Sequence, residues 1–268
     1  MARLYLRNVI VSIQPSSGQA KSISELRIKF KGKKTEESKP NCMDIEIYNL
    51  SQNSRTALEG KNVLITLEAG YEDTSEVIFR GDITKVVHTK EGADIVSKME
   101  IADGGNKFRN ARVSKGIPPG AKVKQVINEL VDATGLTKGS ITGIPEAQYA
   151  NGITLQGLAK DRLDDVCASH DLNWSIQDGA IQIVPKKKTT LDEIIVVSPD
   201  TGLIGSPSKT KEGIEFKTLL QPTLKPGKRV KIESLFINGI FKLKNVTHGG
   251  DSKDGDFFTE CEAFGGFS

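Results

Sequence analysis

A chain of 268 residues exceeds one small domain and has room for two or three, at roughly 100–150 residues each. Apolar residues make up 37% and charged residues 26%, which excludes global disorder and leaves enough apolar material for cores without disulfides or metals. The 37 basic and 34 acidic residues nearly cancel to +3, so composition demands no polyanionic partner.

The N-terminal apolar stretch is broken by Arg7 and Asn8, which excludes a signal peptide or membrane span and predicts synthesis in a cytoplasm. From there the first third reads as strands. Leu26, Ile28 and Phe30 alternate with Arg27 and Lys29, and Met43, Ile45 and Ile47 with Asp44, Glu46 and Tyr48. A period of two gives each strand one apolar and one wet face. Val63, Ile65 and Leu67 repeat it, and β-rich runs follow at 77–87 and 93–102. Between them 51–58 predicts a short helical turn with Ser51 or Asn53 as N-cap. Glycines at roughly ten-residue spacing suit a barrel or sandwich. The lysine-rich runs 31–34 and 186–188 are expected to be solvated loop charge.

At Pro118-Pro119-Gly120 the texture changes. Val123, Val126, Ile127, Leu130 and Val131 line one face of a helix, with Gly135 as its stop. Leu155, Leu158, Leu163, Val166 and Cys167 suggest a second helix ending near His170. Segments 173–177 and 180–184 flank Asp178-Gly179, a tight-hairpin signal. The sole tryptophan, Trp174, is expected in a core or on a sheet face.

After Pro185 β character returns at 194–197, 216–220, 229–234, 236–237, 240–246 and 257–263, with Asn238-Gly239 predicting another hairpin turn. The order is a β block, a small α+β block, then a β block, with boundaries expected at 1–113, 114–187 and 188–268. The fold class is mainly β with a small α+β insert.

Chemistry-bearing residues are sparse. Cys42, Cys167 and Cys261 lie far apart without zinc spacing, so buried reduced thiols are expected. His88 and His170 fall at predicted element ends. His248-Gly249-Gly250-Asp251, with Asp254 and Asp256, suits either a metal or acid/base site or a flexible hairpin loop. Adjacent Asp164-Asp165 point in different directions on a helix. No Walker loop, GxSxG elbow, HExxH or EF-hand loop is present, and neither enzyme activity, metal nor cofactor is expected.

Particular segments carry a resemblance. The first block holds Met43-Asp44-Ile45-Glu46-Ile47-Tyr48-Asn49-Leu50-Ser51, then Leu67-Glu68-Ala69-Gly70-Tyr71 and Ile78-Phe79-Arg80-Gly81-Asp82-Ile83. The last block holds Thr201–Pro207, Leu219–Gly227 and Val246–Asp251. In this order they resemble the baseplate hub proteins of bacteriophage tails, the late control protein D-like group related to the hub part of type VI secretion spike proteins. The resemblance implies two tube-type β-barrel domains flanking the insert. It implies a homotrimer whose six barrels form a ring, joining the tail tube to a central spike and leaving a channel for genome passage. Other baseplate proteins are implied partners, with DNA only in transit, no membrane insertion, and a place in the virion tail.

Candidate assembly contacts are two loops: 219–227, with Leu219, Leu220, Pro222, Leu224, Pro226 and Gly227, and 248–256, with His248 and Asp251. Substitution there is expected to impair assembly before folding. Two other readings stay open. One is an OB-like barrel for oligonucleotides or glycans, which needs a basic groove with exposed aromatics. The other is a cell-wall hydrolase using scattered carboxylates such as Asp161, Asp165, Asp251 and Asp256.

Overall fold

A computed structural model describes residues 6–16, 18–186 and 194–267. The start of the N-terminal apolar stretch and Lys187-Lys188 of the second lysine run lie outside them. The first β block comprises β1 (Arg7–Gln14), β2 (Lys21–Ile23), β3 (Ile28–Thr35), β4 (Cys42–Tyr48), helix α1 (Gln52–Leu58), β5 (Leu64–Tyr71), β6 (Glu76–Glu91) and β7 (Asp94–Ala102). The insert follows with α2 (Gly105–Asn110), β8 (Arg112–Ile117), β9 (Ala121–Lys122), α3 (Val123–Thr134) and β10 (Thr137–Ile141). It continues through β11 (Gln148–Tyr149), β12 (Ile153–Leu158), α4 (Ala159–Ser169), β13 (Leu172–Gln177) and β14 (Ala180–Pro185). The last block holds β15 (Ile195–Val197), a 3-10 turn, β16 (Leu203–Lys209), β17 (Gly213–Leu219), β18 (Arg229–Glu233), β19 (Asn238–Asp251) and β20 (Phe257–Phe267). The protein is mainly β with an α+β insert, as the sequence predicts.

Two compact units form. One contains β1–β7, α1 and β15–β20; the other contains residues 36–40 and the insert from Asp103. In the first unit both β blocks belong to one sheet, in the order β16-β17-β20-β19-β3-β4-β7-β6-β5-β1-β2, with β15 and β18 branching from β19. Within each block the outermost strands are consecutive in sequence, β2 with β3 and β15 with β16, and no ladder joins either pair among the described residues.

Long strands each serve more than one neighbour. β6 pairs β5 through Glu76–Asp82 and β7 through Asp82–Glu91, with a register shift between Ile83 and Lys85. Such a bulge bends a strand so that it can serve two directions of a curved sheet. β19 likewise pairs β18 near its start and β3 near its end, and β20 along its length.

Alternation fixes which face is core. Ile28, Phe30, Ile45, Ile47, Met99 and Ile101 are buried while Lys31, Lys33 and Asp44 face water. The lysine run 31–34 is therefore strand, not loop. Gly32 lies so close to β4 that a Cβ would sit 2.7 Å from the Cys42 carbonyl oxygen, and Lys34 points inward with Nζ 5.5 Å from the Phe79 ring centre. Phe257 and Leu220, from the last block, complete the first block's core, the Phe257 ring standing edge-on to Phe30 and Tyr71. A second core gathers Val197, Phe216, Leu224, Val230, Ile232, Leu243 and Val246.

In the other unit, α3 buries its predicted stripe and ends at Gly135 in the left-handed region, φ 69°. Asp178 and Gly179, at φ 55° and 82°, make the predicted hairpin turn between β13 and β14. The second helix begins at Ala159, later than its leucine pattern suggests. Leu155 and Leu158 belong to β12, paired with β8, and Gly157 at φ 116° is incompatible with a helix. Trp174 is buried and donates from Nε1 to Asp164 Oδ1 at 2.8 Å, while Asp165 pairs with Arg162.

Candidate functional site

The two β blocks meet where β3 pairs antiparallel with β19, from Lys29 opposite Asp251 to Thr35 opposite Asn245. β19 continues through Asp251, so His248 and Asp251 are strand residues and only Ser252–Asp256 turn. The Gly249-Gly250 pair, expected as turn flexibility, makes room for rings instead. A Cβ on Gly249 would lie 2.9 Å from Phe258 Cζ, and one on Gly250 2.4 Å from Phe257 Cδ2.

Polar contacts close the end of this seam. The Arg27 guanidinium donates twice to Asp251 Oδ2, at 2.9 and 2.7 Å, and Lys253 N–H donates to Oδ1. Burial by itself raises the Asp251 carboxyl; the Arg27 hydrogen bonds, the backbone N–H groups and the Arg27 charge outweigh it and hold the group below the usual carboxylate range. Arg7 donates to the carbonyls of Asp251 and Gly255 and lies over the Phe257 ring. Ser252 exchanges two hydrogen bonds with the Ile28 backbone, ending the ladder.

Three residues up the strand, His248 is buried, its Nδ1 3.0 Å from Thr259 Oγ1, which accepts from Gln221 N–H. Burial, then the charges of Lys34 and Lys225, push the imidazole down to about 3, partly offset by a hydrogen bond to the Leu224 backbone. His248 is therefore a neutral structural group near pH 7. It ties the segment 219–227 to the sheet. Leu220 enters the first core and Leu224 the second; Pro222, Pro226 and Gly227 are buried and Leu219 is half-buried. The two segments singled out in the sequence are thus brought together, and they pack inside the unit. Their exposed parts are Thr223 and Lys253–Asp256.

The solvent face of the sheet runs unbroken across the seam. One row reads Lys217–Glu260–Thr247–Lys33–Cys42, the next Lys31–Asp44–Glu100–Lys85, and the next Lys29–Glu46–Lys98–Val87. Opposite charges pair along and between rows: Lys33–Glu262 at 3.0 Å, Lys217–Glu260 at 3.2 Å, Lys85–Glu100 at 3.6 Å, and Lys98 with both Glu46 and Glu91. Cys42 is exposed here, unlike Cys167 and Cys261, because its strand position puts it on the wet face. Burial pushes the Cys167 thiol up to about 12.

One feature escaped the sequence reading. Segment 234–237 is a four-residue turn between β18 and β19, and Asn238-Gly239 begins β19 instead of forming the turn. Ser234 Oγ donates to Ile237 O and accepts from Ile237 N–H, and Asn238 Oδ1 accepts from Ser234 N–H. These bonds hold Leu235 and Phe236 out in solvent, 84% and 74% exposed. The sequence pattern predicts a strand at 236–237 and leaves Leu235 between two strands.

The other chemical candidates are engaged structurally. His88 Nδ1 lies 2.9 Å from Ser97 Oγ, and His170 Nε2 3.2 Å from the Tyr149 hydroxyl. Asp161 and Asp165 lie on α4, whereas Asp251 and Asp256 border the β19–β20 turn. Among the described residues no group of three or more His, Cys, Asp or Glu is placed to hold a metal. No described helix is long and apolar enough to cross a membrane.

Two β blocks paired edge to edge in one sheet, with an α+β insert between them in sequence, are also the arrangement on which solved tail proteins superpose. The chain superposes on the 43 kDa tail protein of prophage MuSo2 from Shewanella oneidensis with a TM-score of 0.66 at 9% identity, covering 96% of this chain and 98% of that one. It superposes on a tail protein from Neisseria meningitidis MC58 with a TM-score of 0.65 at 10% identity, covering 96% of each. The E. coli c3393 protein, a type VI secretion component described as similar to the T4 phage tail proteins gp27 and gp5, gives 0.64 at 10% identity, covering 96% of this chain and 77% of that one. No curated protein sequence matches the chain. The family model for baseplate hub gp41 matches residues 8–263, and the chain belongs to this family of phage tail baseplate proteins.

Proposed function

We propose that three copies of this chain form the hub ring of a phage tail baseplate, each contributing its two β blocks, β1–β7 and β15–β20, as tube-type halves that flank the α+β insert in sequence. The ring joins the tail tube on one side to the central spike on the other, beside other baseplate proteins, and leaves a channel for the genome. It acts in the virion, after synthesis in the bacterial host, as a scaffold and not as an enzyme.

The observation that carries this reading is the β3–β19 seam, which holds two barrel-like blocks side by side in one sheet. Two such blocks in each of three chains give six positions around an axis, the match a sixfold tube needs. The polar face spanning the seam suits a channel wall. The sheet's free edges are blunted: β2 has three residues, and β16 contains Pro207 and a register shift. Blunt edges disfavour strand addition and leave neighbours to meet through side chains. The exposed Leu235–Phe236 tip, Thr223 and the turn 253–256 are the candidate contacts.

Native mass measurement over a concentration series, with single-particle imaging, tests this. A trimeric ring with a central opening is expected, alone or on adding tube or spike protein. A monomer that joins neither sinks the proposal.

A further inference from the structure

The last block and the first block each leave apolar side chains in water. On the last block the turn 234–237 presents Leu235 and Phe236, and hydrogen bonds among Ser234, Ile237 and Asn238 fix its shape before any partner arrives. A preformed knob loses little conformational freedom on docking. Just before it on β18, Lys231 and Glu233 are exposed and stand on one side of the strand.

On the first block, β6, β5 and β1 lie in the strand order away from β3 and the seam. Their outer face carries Ile10, Glu68 and Val77 in one row and Thr66 and Arg80 in the next. The register shift between Leu67 and Glu68 creates this face. Ile78 and Phe79 enter the core together, so Val77 and Arg80 both meet water. Glu68 and Arg80 make no ion pair among the described residues.

We propose that the Leu235–Phe236 knob of one copy docks on the Ile10–Val77 row of the next copy's first block. This contact rests on the ring reading above and deepens it by naming both of its sides. A second copy is the occupant for two reasons. Knob and row lie in unlike blocks, so their contact joins the last block of one copy to the first block of the next, the heterologous junction that a ring of alternating blocks must repeat. The charges beside them also complement one another: Lys231 and Glu233 flank the knob, and Glu68 and Arg80, unpaired in the single chain, flank the row.

The test uses the full chain with Cys42→Ser, which removes the exposed native thiol. Phe236→Cys is combined in turn with Val77→Cys and with Ile10→Cys, and each is also made alone. A disulfide forms only where Cα atoms approach within roughly 7 Å. After oxidation with copper–phenanthroline, a non-reducing gel should show linked dimers and trimers for a pair and monomers for each single variant. Leu235→Ser with Phe236→Ser should weaken self-association in native mass measurement by about 30-fold per contact, the loss of one interface hot spot. Linked dimers from Phe236→Cys alone mean that tips meet each other, and they overturn the proposal. A trimer that neither pair cross-links, or that the serine variant forms at native affinity, also overturns it and leaves the ring reading standing. A chain that stays monomeric, alone and with tube or spike protein, sinks both.

Discussion

Acidification tests the seam through His248. The imidazole is fully buried and held at about 3 by desolvation and by Lys34 and Lys225, whereas a histidine in the unfolded chain titrates near 6.5. The folded value lies below the unfolded one, so between them the unfolded state binds more protons and stability falls as pH falls. The contribution is complete above about pH 6.5 and is lost progressively toward pH 3. At pH 4 the loss is about 3 kcal/mol, from the roughly 2.5 pH units below the unfolded value at about 1.36 kcal/mol each. Asp251 and Glu262 are held below the ordinary carboxylate range and add a loss of their own in acid. A His248→Gln variant removes only the histidine part. Urea unfolding followed by the sheet's circular dichroism at pH 7, 6, 5 and 4 is the assay. The variant should be less stable at pH 7, with a deficit that shrinks by about 3 kcal/mol by pH 4. Parallel stability curves for the two proteins would show that His248 is not a buried neutral group and refute the reasoning.

Leu220→Ala should cost about 2–5 kcal/mol in urea unfolding, because the side chain completes the first core; unchanged stability with lost assembly would instead make 219–227 an external contact. Replacing Leu235 and Phe236 together by serine should change stability by no more than about 0.5 kcal/mol while altering self-association in light scattering. A loss above 2 kcal/mol would mean that the tip is packed. Gly250→Ala should destabilise by about 1–3 kcal/mol, since its Cβ meets the Phe257 ring. A thiol reagent should label one cysteine in the native protein, Cys42, and all three after unfolding.

The elements legible in the sequence are those whose cause is local. The period-two strand 42–48, the β-rich run that forms 94–102, Ser51 capping α1, the apolar stripe of α3 with its Gly135 stop, and the Asp178-Gly179 turn all follow from neighbours within a few residues. What stayed hidden depends on distant partners. Lys34 reads as surface charge until Phe79 is set beneath it, and Gly250 reads as a turn until Phe257 arrives from the next strand. The same applies to the candidate site. His248 and Leu224 were singled out as loop residues, yet burial and hydrogen bonding make them ties within the unit. The Leu235–Phe236 tip stays hidden because Phe236–Ile237 carries an apolar strand signal, and only the Ser234 and Asn238 hydrogen bonds turn the chain outward there.

The seam also explains why the two β blocks cannot be treated as separate barrels joined by a tether. Separated, β3 and β19 would each expose a row of unpaired backbone donors and acceptors, an open invitation to aggregation. Their pairing removes both edges at once. The first block would also lose Phe257 and Leu220 from its core, and the last would lose Arg7 and Arg27 from the turn that ends β19. Each loss concerns groups far apart in sequence, separated by the whole insert. Local opening of one block therefore exposes apolar surface and a strand edge of the other, so the blocks should melt together. Cooperativity of this kind keeps the two blocks in fixed register with one another.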